Sequence, residues 1–368
     1  MQTHVVIIGA GLSGLYSAYL LEQKGIKATV IEARDRVGGR IISMPLSDSK
    51  DDQSKYQRYD LGPSWFWPEM HPVITQLIEH FDLEAFPQYQ TGAHVFDRGR
   101  NVPPQRYDLG MTSSPQSMRL AGGMQSLVEK LSNAIKPETI QLNTVVTHIK
   151  HNGDKRISIL TKNEKELTET LQASHVILAM PPRLIASSIE FTPALPSKLK
   201  QHFANTMTWM AAHAKLVAVY PEAFWREDGL SGSASSQTGP LVEVHDASAI
   251  EGKAALFGFV GPNAAARKTA GRDTLIQVSV DQLAHIFGEK AAKPLEVFLI
   301  DWSDESLTAT QQDHIGAASH PVYGLPSSAQ DLWQGSLLFA GTETANNDGG
   351  YLEGALTAAK TAADRIKS

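Results

Sequence analysis

Gly9, Gly11 and Gly14 stand in a GxGxxG spacing directly behind an apolar run, His4 to Ile8, with Ser13 inside the motif. Gly9 permits a tight turn, Gly11 lets backbone approach a pyrophosphate, and Gly14 lets a helix pack closely on a strand. A helix starting here offers free N–H groups and the positive end of its dipole to phosphate. Glu32 closes the next apolar run, 18 residues after Gly14, where a carboxylate can accept from a ribose hydroxyl. Together these signals predict a dinucleotide site. A second residue with chemical potential is Lys215, inside the apolar run Met210 to Val219. Lysine is rarely buried without a partner. His213 lies two residues before it, on the same face of an extended chain. A satisfied structural role is expected for that histidine.

The residues after Glu32 separate NAD from FAD. The run Ala33, Arg34, Asp35, Arg36, Val37, Gly38, Gly39, Arg40 resembles the signature of the flavin monoamine oxidase family. Its two glycines let backbone pass close to the cofactor, and Arg40 can neutralise a diphosphate. Nicotinamide dehydrogenases, a rival reading, lack this tail. Near the other end, Leu338 to Thr344 (with Gly341 and Glu343) and then Gly350, Tyr351 and Leu352 resemble the segment with which the same family closes over its flavin. A helix N-terminus there would stabilise the charge gained at flavin N1–C2=O on reduction. Three middle segments match more loosely. Asp60 to Trp65, with Gly62, resembles the D-x-G segment beside the ring. Gly122-Gly123 resembles a turn before a helix. Val146, with Val145, matches a strand position whose backbone meets the adenine. The resemblance thus implies FAD, held by residues of these segments, and because the cysteine that binds flavin covalently in some relatives is lacking, non-covalent FAD is expected.

It also implies a reaction. A hydride passes from the α-carbon of an amine to flavin N5, giving an imine, then aldehyde and ammonia, while O2 becomes hydrogen peroxide. Flavin oxidases need little acid–base machinery, so a buried cation and an aromatic pocket are sought. Lys215, followed by Tyr220, Phe224 and Trp225, matches the lysine that holds a water against N5 in the family and helps oxygen reoxidise the flavin. Tyr351 matches one of two aromatic residues that flank the amine. No aromatic stands at the expected second position, in Gly316 to Pro321. Trp302 resembles a tryptophan beside the flavin, and Trp65, Trp67 and Phe257 are candidates for the substrate pocket, with Phe259 a weaker one. The amine must be neutral to react, so an apolar pocket that lowers its pKa would assist. An FAD-linked desaturase, a porphyrinogen oxidase or an amino-acid oxidase on the same scaffold stays open, as does a flavin-binding protein without turnover.

Composition narrows the alternatives. The 368 residues carry 33 basic and 39 acidic side chains, a net charge of −6, which favours neither nucleic acid nor an anionic membrane as partner. There is no cysteine, so disulfides, thiolate metal sites and a cysteinyl flavin are excluded. Thirteen histidines form no HExxH pair, and no metal site is expected. No apolar run spans a membrane and a strand begins almost at once, so a cytoplasmic protein without signal peptide is expected.

The elements that must position these residues follow from periodicity. An α/β chain is expected, with a Rossmann-like, glutathione-reductase-type FAD domain and a second α+β substrate domain. The FAD domain is assigned 1–70, 116–190 and 330–368, and the substrate domain 71–115 and 191–329. A βαβ unit spans 4–31, and a polar loop covers 47–57. Helices are expected near 72–81, 123–135 and 272–287 and from Tyr351 onward. Strands are expected near 139–149, 156–161, 175–179, 241–246, 254–260 and 337–340, and one ending at Trp302. Trp209 to Tyr220 reads as one long strand and the Gly/Ser-rich 226–240 as a loop.

Overall fold

A computed structural model describes residues 4–47, 57–108, 114–154, 156–316 and 319–367. Its centre is a five-stranded, wholly parallel sheet in the order Leu337–Phe339, His175–Leu178, His4–Ile8, Lys27–Ile31, Ile140–Gln141. Valine and isoleucine fill the three inner strands, as burial on both faces demands. Val5, Val6, Ile7, Val30, Val176 and Ile177 are wholly buried. All three thirds of the chain meet here, since His175 to Leu178 pair with Val5 to Ile8 on one side, and Val176 to Leu178 with Leu337 to Phe339 on the other. Helix Leu12–Gln23 packs on helix Leu352–Asp364, and Ala355, Leu356, Ala359 and Ala363 turn into that core. Small alanines allow the two helix backbones to come close. Helices Pro72–His80 and Gln125–Asn133 complete the same cluster through Ile74, Leu77, Leu127 and Leu131.

The second large unit is a seven-stranded sheet in the order Glu296–Asp301, Ala214–Tyr220, Ala254–Val260, Leu241–Asp246, Leu230–Ser236, Ala93–Asp97, Gln105–Tyr107. Helix Arg272–Phe287 covers one face with Leu275, Leu283, Ile286 and Phe287. Lys215 and Phe259 are directly paired across the sheet, and so are Val217 and Phe257. Side chains alternate in direction along a strand, so these four share one face. A smaller sheet of four strands contains Thr144–His151 and Ile157–Asn163, and also Thr168–Ala173, which periodicity did not flag.

Two expectations need correction. The long strand over 209–220 begins only at Ala214; Thr208 to His213 is a turn, with Met210 at φ 62°. Apolar Trp209 and Met210 mimic a strand because they face a cavity rather than a sheet neighbour. The loop expected over 226–240 contains the strand Leu230–Ser236, inserted between Leu241–Asp246 and Ala93–Asp97. Its Gly and Ser content, which usually marks a turn, reflects crowding instead. A Cβ on Gly232 would meet Trp225 Nε1 at 2.7 Å. The polar stretch 47–57 lies, apart from its two ends, outside the described residues.

Candidate active site

Residues of both sheets line one continuous cavity of about 470 Å³. From the parallel sheet and its first turn come Gly9, Gly11, Ser13, Glu32, Ala33 and Arg34. Glu32 is buried, and backbone N–H groups hold both its oxygens: Ala10 donates to Oε2 at 2.7 Å and Arg34 to Oε1 at 2.9 Å. The carboxylate is therefore fixed, with acceptor capacity left over. The Arg34 guanidinium reaches across to Thr308 Oγ1 at 2.9 Å and Glu305 at 3.5 Å. Gly14 does not line the cavity. Its missing Cβ would sit 1.8 Å from the Gly9 carbonyl oxygen, so its part is to let the turn close. Ser13 Oγ donates to the Ala340 carbonyl and so ties the first helix to the last strand.

Gly39, Arg40 and Gly62 follow along the wall. A Cβ on Gly62 would lie 2.1 Å from the Arg40 carbonyl oxygen, so only glycine lets these two segments touch. Arg40 is held by the fully buried side chain of Glu343, Nη1 to Oε1 at 2.7 Å and Nη2 to Oε2 at 3.2 Å. Glu343 thus stands behind the cavity wall, not in it. Val146 and Gly341 also line the space, as do Gly350, Tyr351 and Leu352 at the start of the last helix. Thr342 Oγ1 accepts from Gly350 N–H at 2.9 Å and donates to the Tyr351 carbonyl at 2.8 Å, which sets the helix entry. Neither this helix nor Leu12–Gln23 has a side-chain cap. Two helix N-termini therefore present open N–H groups to one cavity.

Lys215 is buried and lines the same cavity. Its ammonium donates to the Gly62 carbonyl at 3.0 Å and to Ser64 Oγ at 2.7 Å, and lies 4.1 Å from the Phe257 ring centre. Burial lowers its pKa from 10.5 to about 7, with Asp60 opposing and Arg119 adding to the fall. Tyr220, Phe224 and Trp225, expected beside it, pack instead on each other in the other core of the seven-stranded sheet. They follow the point where the strand leaves the cavity.

Trp65, Trp67, Phe257, Phe259 and Trp302 line the space. Trp65 Nε1 donates to Gln88 Oε1 at 2.7 Å and Trp67 Nε1 to Ser117 Oγ at 2.9 Å. Trp302 does not end a strand but opens a short 3-10 turn after Asp301. Tyr351 stands 6.1 Å from Trp67, edge-on. His320 lies parallel to Tyr351, ring centres 5.0 Å apart and planes within 10°. The segment that lacked an aromatic in the sequence thus supplies an imidazole. Trp209, in turn, lies 4.4 Å from His320 and lines the cavity. Its place on a turn, not a strand, hid it from periodicity. His213 also lines the cavity, but it is not the satisfied histidine expected: its buried Nδ1 has no hydrogen-bond partner.

The turn that carries Trp209 and His213 is anchored by a buried ion pair. Arg267 meets Asp301 through Nε at 2.5 Å and Nη2 at 2.6 Å, and donates to the Ala212 carbonyl at 2.8 Å. Asp301→Ala leaves a buried guanidinium unpaired, and a loss on the order of 3–5 kcal/mol is expected in urea unfolding. A change below about 1 kcal/mol would show the pair to be dispensable.

The lining fits FAD. A fixed buried carboxylate suits a ribose, two uncapped helix N-termini suit a diphosphate and a reduced flavin ring, and close glycine contacts leave room for both. Among the described residues no group of three or more His, Cys, Asp or Glu could hold a metal, and no helix is long and apolar enough to cross a membrane.

Comparison with known proteins agrees with this geometry. The model of the flavin containing amine oxidoreductases matches residues 12–118 and 103–367. The probable flavin-containing monoamine oxidase A of Dictyostelium discoideum is 24% identical over 99% of this chain and 97% of its own. Human flavin-containing amine oxidase B is 25% identical over 98% of this chain and 85% of its own. Among solved structures, cyclohexylamine oxidase from Brevibacterium oxydans IH-35A superposes with a TM-score of 0.81 at 21% identity, covering 99% and 98% of the two chains. Wild-type putrescine oxidase bound to putrescine superposes with 0.78 at 22% identity, covering 99% of each. At those identities the structures speak for a shared mixed α/β fold. The family match spans nearly the whole chain, and this protein is a member of the flavin-containing amine oxidoreductases, enzymes that use FAD to oxidise amines.

Proposed function

We propose that this chain is an amine oxidase with O2 as electron acceptor and non-covalent FAD, and that its substrate is a small primary amine. The cofactor domain is assigned 1–70, 116–190 and 330–368, in a Rossmann-like, glutathione-reductase-type arrangement. The substrate domain is assigned 71–115 and 191–329. The observation that carries the reading is the buried Lys215, opening on the cavity that two helix N-termini share. With no cysteine in the chain, a thioether to the flavin has no source.

Bound FAD supplies a two-electron acceptor for the hydride of the amine α-carbon. The protein residues do the rest. Glu32 holds a ribose and Arg40, oriented by Glu343, balances diphosphate charge. The N–H group of Leu352, at the uncapped start of the last helix, would meet charge on the reduced ring, while that of Tyr351 donates to the Asp348 carbonyl at 3.1 Å. Trp65, Trp67, Phe257 and Trp302 exclude water, which favours the neutral amine. Tyr351 offers a ring face that orients the amine nitrogen, with His320 stacked against it outside the cavity lining. Lys215, when protonated, stabilises negative charge as oxygen is reduced.

An amino-acid oxidase is less well supported. Such an enzyme needs an arginine for the substrate carboxylate, and the arginines among the described cavity residues, Arg34 and Arg40, stand beside Glu32 and Gly39 on the side assigned here to the cofactor.

The test is direct. The purified protein should be yellow and should release peroxide with some members of a primary-amine panel. Tyr351→Ala should keep its flavin and raise KM roughly tenfold, the size expected for one lost ring contact. Protein that stays colourless in excess FAD would overturn the reading, and an unchanged KM would remove Tyr351 from amine binding.

A further inference from the structure

The turn Thr208 to His213 separates the main cavity from a second void of about 10 Å³. Trp209, Met210 and His213 line both spaces. The small one is of the size that holds a single water. Two buried polar atoms of its lining residues have no partner, Thr208 Oγ1 and His213 Nδ1. A water between them would satisfy both.

His213 is also close to the chemistry. Two residues of chain, at most about 7 Å, separate it from Lys215. Ring contacts lead from it to Trp209 at 6.5 Å, then to His320 and Tyr351. The charged groups around it are otherwise engaged. Arg267 is paired with Asp301, and Asp313, on the small void, with Arg183. Lys215, on the main cavity, donates to Gly62 and Ser64. Burial, and then the Arg267 charge, hold the His213 pKa below its ordinary value, against an opposing pull from the Met210 backbone. A neutral ring is therefore the resting form at neutral pH, and a neutral imidazole is a base.

An amine in neutral water arrives as an ammonium ion and must lose a proton before it can give up a hydride. Resting on the amine oxidase reading above, we propose that His213 takes that proton and passes one to a water held between its Nδ1 and Thr208 Oγ1. The N–H bond of R-CH2-NH3+ breaks, its electron pair stays on nitrogen, and the proton bonds to His213 Nε2. Nδ1 releases its own proton to the water, which hands it on to solvent past the exposed Gly316 that also lines the small void. No electrons change hands, so no oxidant is consumed in this step.

The test uses the FAD-loaded protein, mixed without oxygen with benzylamine from about pH 6 to about pH 10, a span that covers histidine and amine titration. Flavin bleaching reports oxidation, and a pH dye reports proton release. His213→Gln should slow bleaching roughly a hundredfold near neutral pH, the scale of a lost general base. The rate should recover once the free amine is itself neutral. The wild type should release about one proton per site ahead of bleaching, and the variant none. Thr208→Val should show a smaller loss with the same recovery. Flavin absorbance of each variant verifies that it is folded and loaded. A His213→Gln profile parallel to the wild type, or a loss equal at every pH, would overturn the proposal while leaving the amine oxidase reading intact. A wild type that no amine bleaches at any pH defeats that reading, and this proposal with it.

Discussion

Lys215→Met should slow reoxidation of the reduced protein by oxygen roughly a hundredfold, while anaerobic reduction by an amine stays within about twofold. The magnitude is that of removing one preorganised charge from a developing anion. The asymmetry arises because the ammonium would act when oxygen gains charge, not when the amine loses hydride. The wild type should also show a pH signature. Lys215 is protonated below about 7, so its help with oxygen should fade as pH rises through that value. The variant should be flat there. Stability gives an independent check with a definite sign. In the folded chain the lysine releases its proton near 7, and in the unfolded chain near 10.5. Between those values the unfolded state binds more protons, so stability should rise with pH across this window. Lys215→Met should lose that rise. Stopped-flow in both half-reactions and urea titrations at several pH values measure all three effects. Equal slowing of both half-reactions would take Lys215 out of oxygen chemistry.

Gly14→Val should yield protein without flavin. Even a Cβ at this position would sit 1.8 Å from the Gly9 carbonyl, far inside any real contact, and a branched side chain adds to it. Either the helix moves off the strand or the Gly9 turn opens, and both displace the N–H groups that face the cavity. The expected cost exceeds about 4 kcal/mol, the range of severe backbone or core disruption. Gly99→Ala is the control, since nothing lies within 4 Å of a Cβ there. It should stay yellow and melt near the wild-type temperature. Visible absorbance of the purified variants decides the matter, and a yellow Gly14→Val would mean that the turn can rearrange without losing the site.

Much of the cofactor-facing half was legible because its requirements are local. A GxGxxG turn needs glycines at three nearby positions, and the strand, turn and helix around it are built from contiguous residues. The same holds for the last strand and helix, where alanines and leucines recur on one face. Glu32, Arg40 and Tyr351 could be singled out for the same reason, since each sits beside such a motif.

The residues that sequence misread depend on contacts far along the chain. Leu230–Ser236 has the composition of a loop, and only the approach of 93–97 and 241–246 makes it a strand. Trp209 has the apolarity of a strand residue, yet it stands on a turn because a cavity lies beside it. His320 met Tyr351 from 31 positions away, through packing that no spacing encodes. Burial of Lys215 was expected from its apolar neighbours, but the carbonyl and hydroxyl that receive its protons come from Gly62 and Ser64, over 150 positions distant. From its sequence alone this protein had a flavin site, because glycine turns and periodicity act over a few residues. Which side chains face one another across the cavity was decided only when distant segments packed, because burial, partner and pKa are properties of the whole fold.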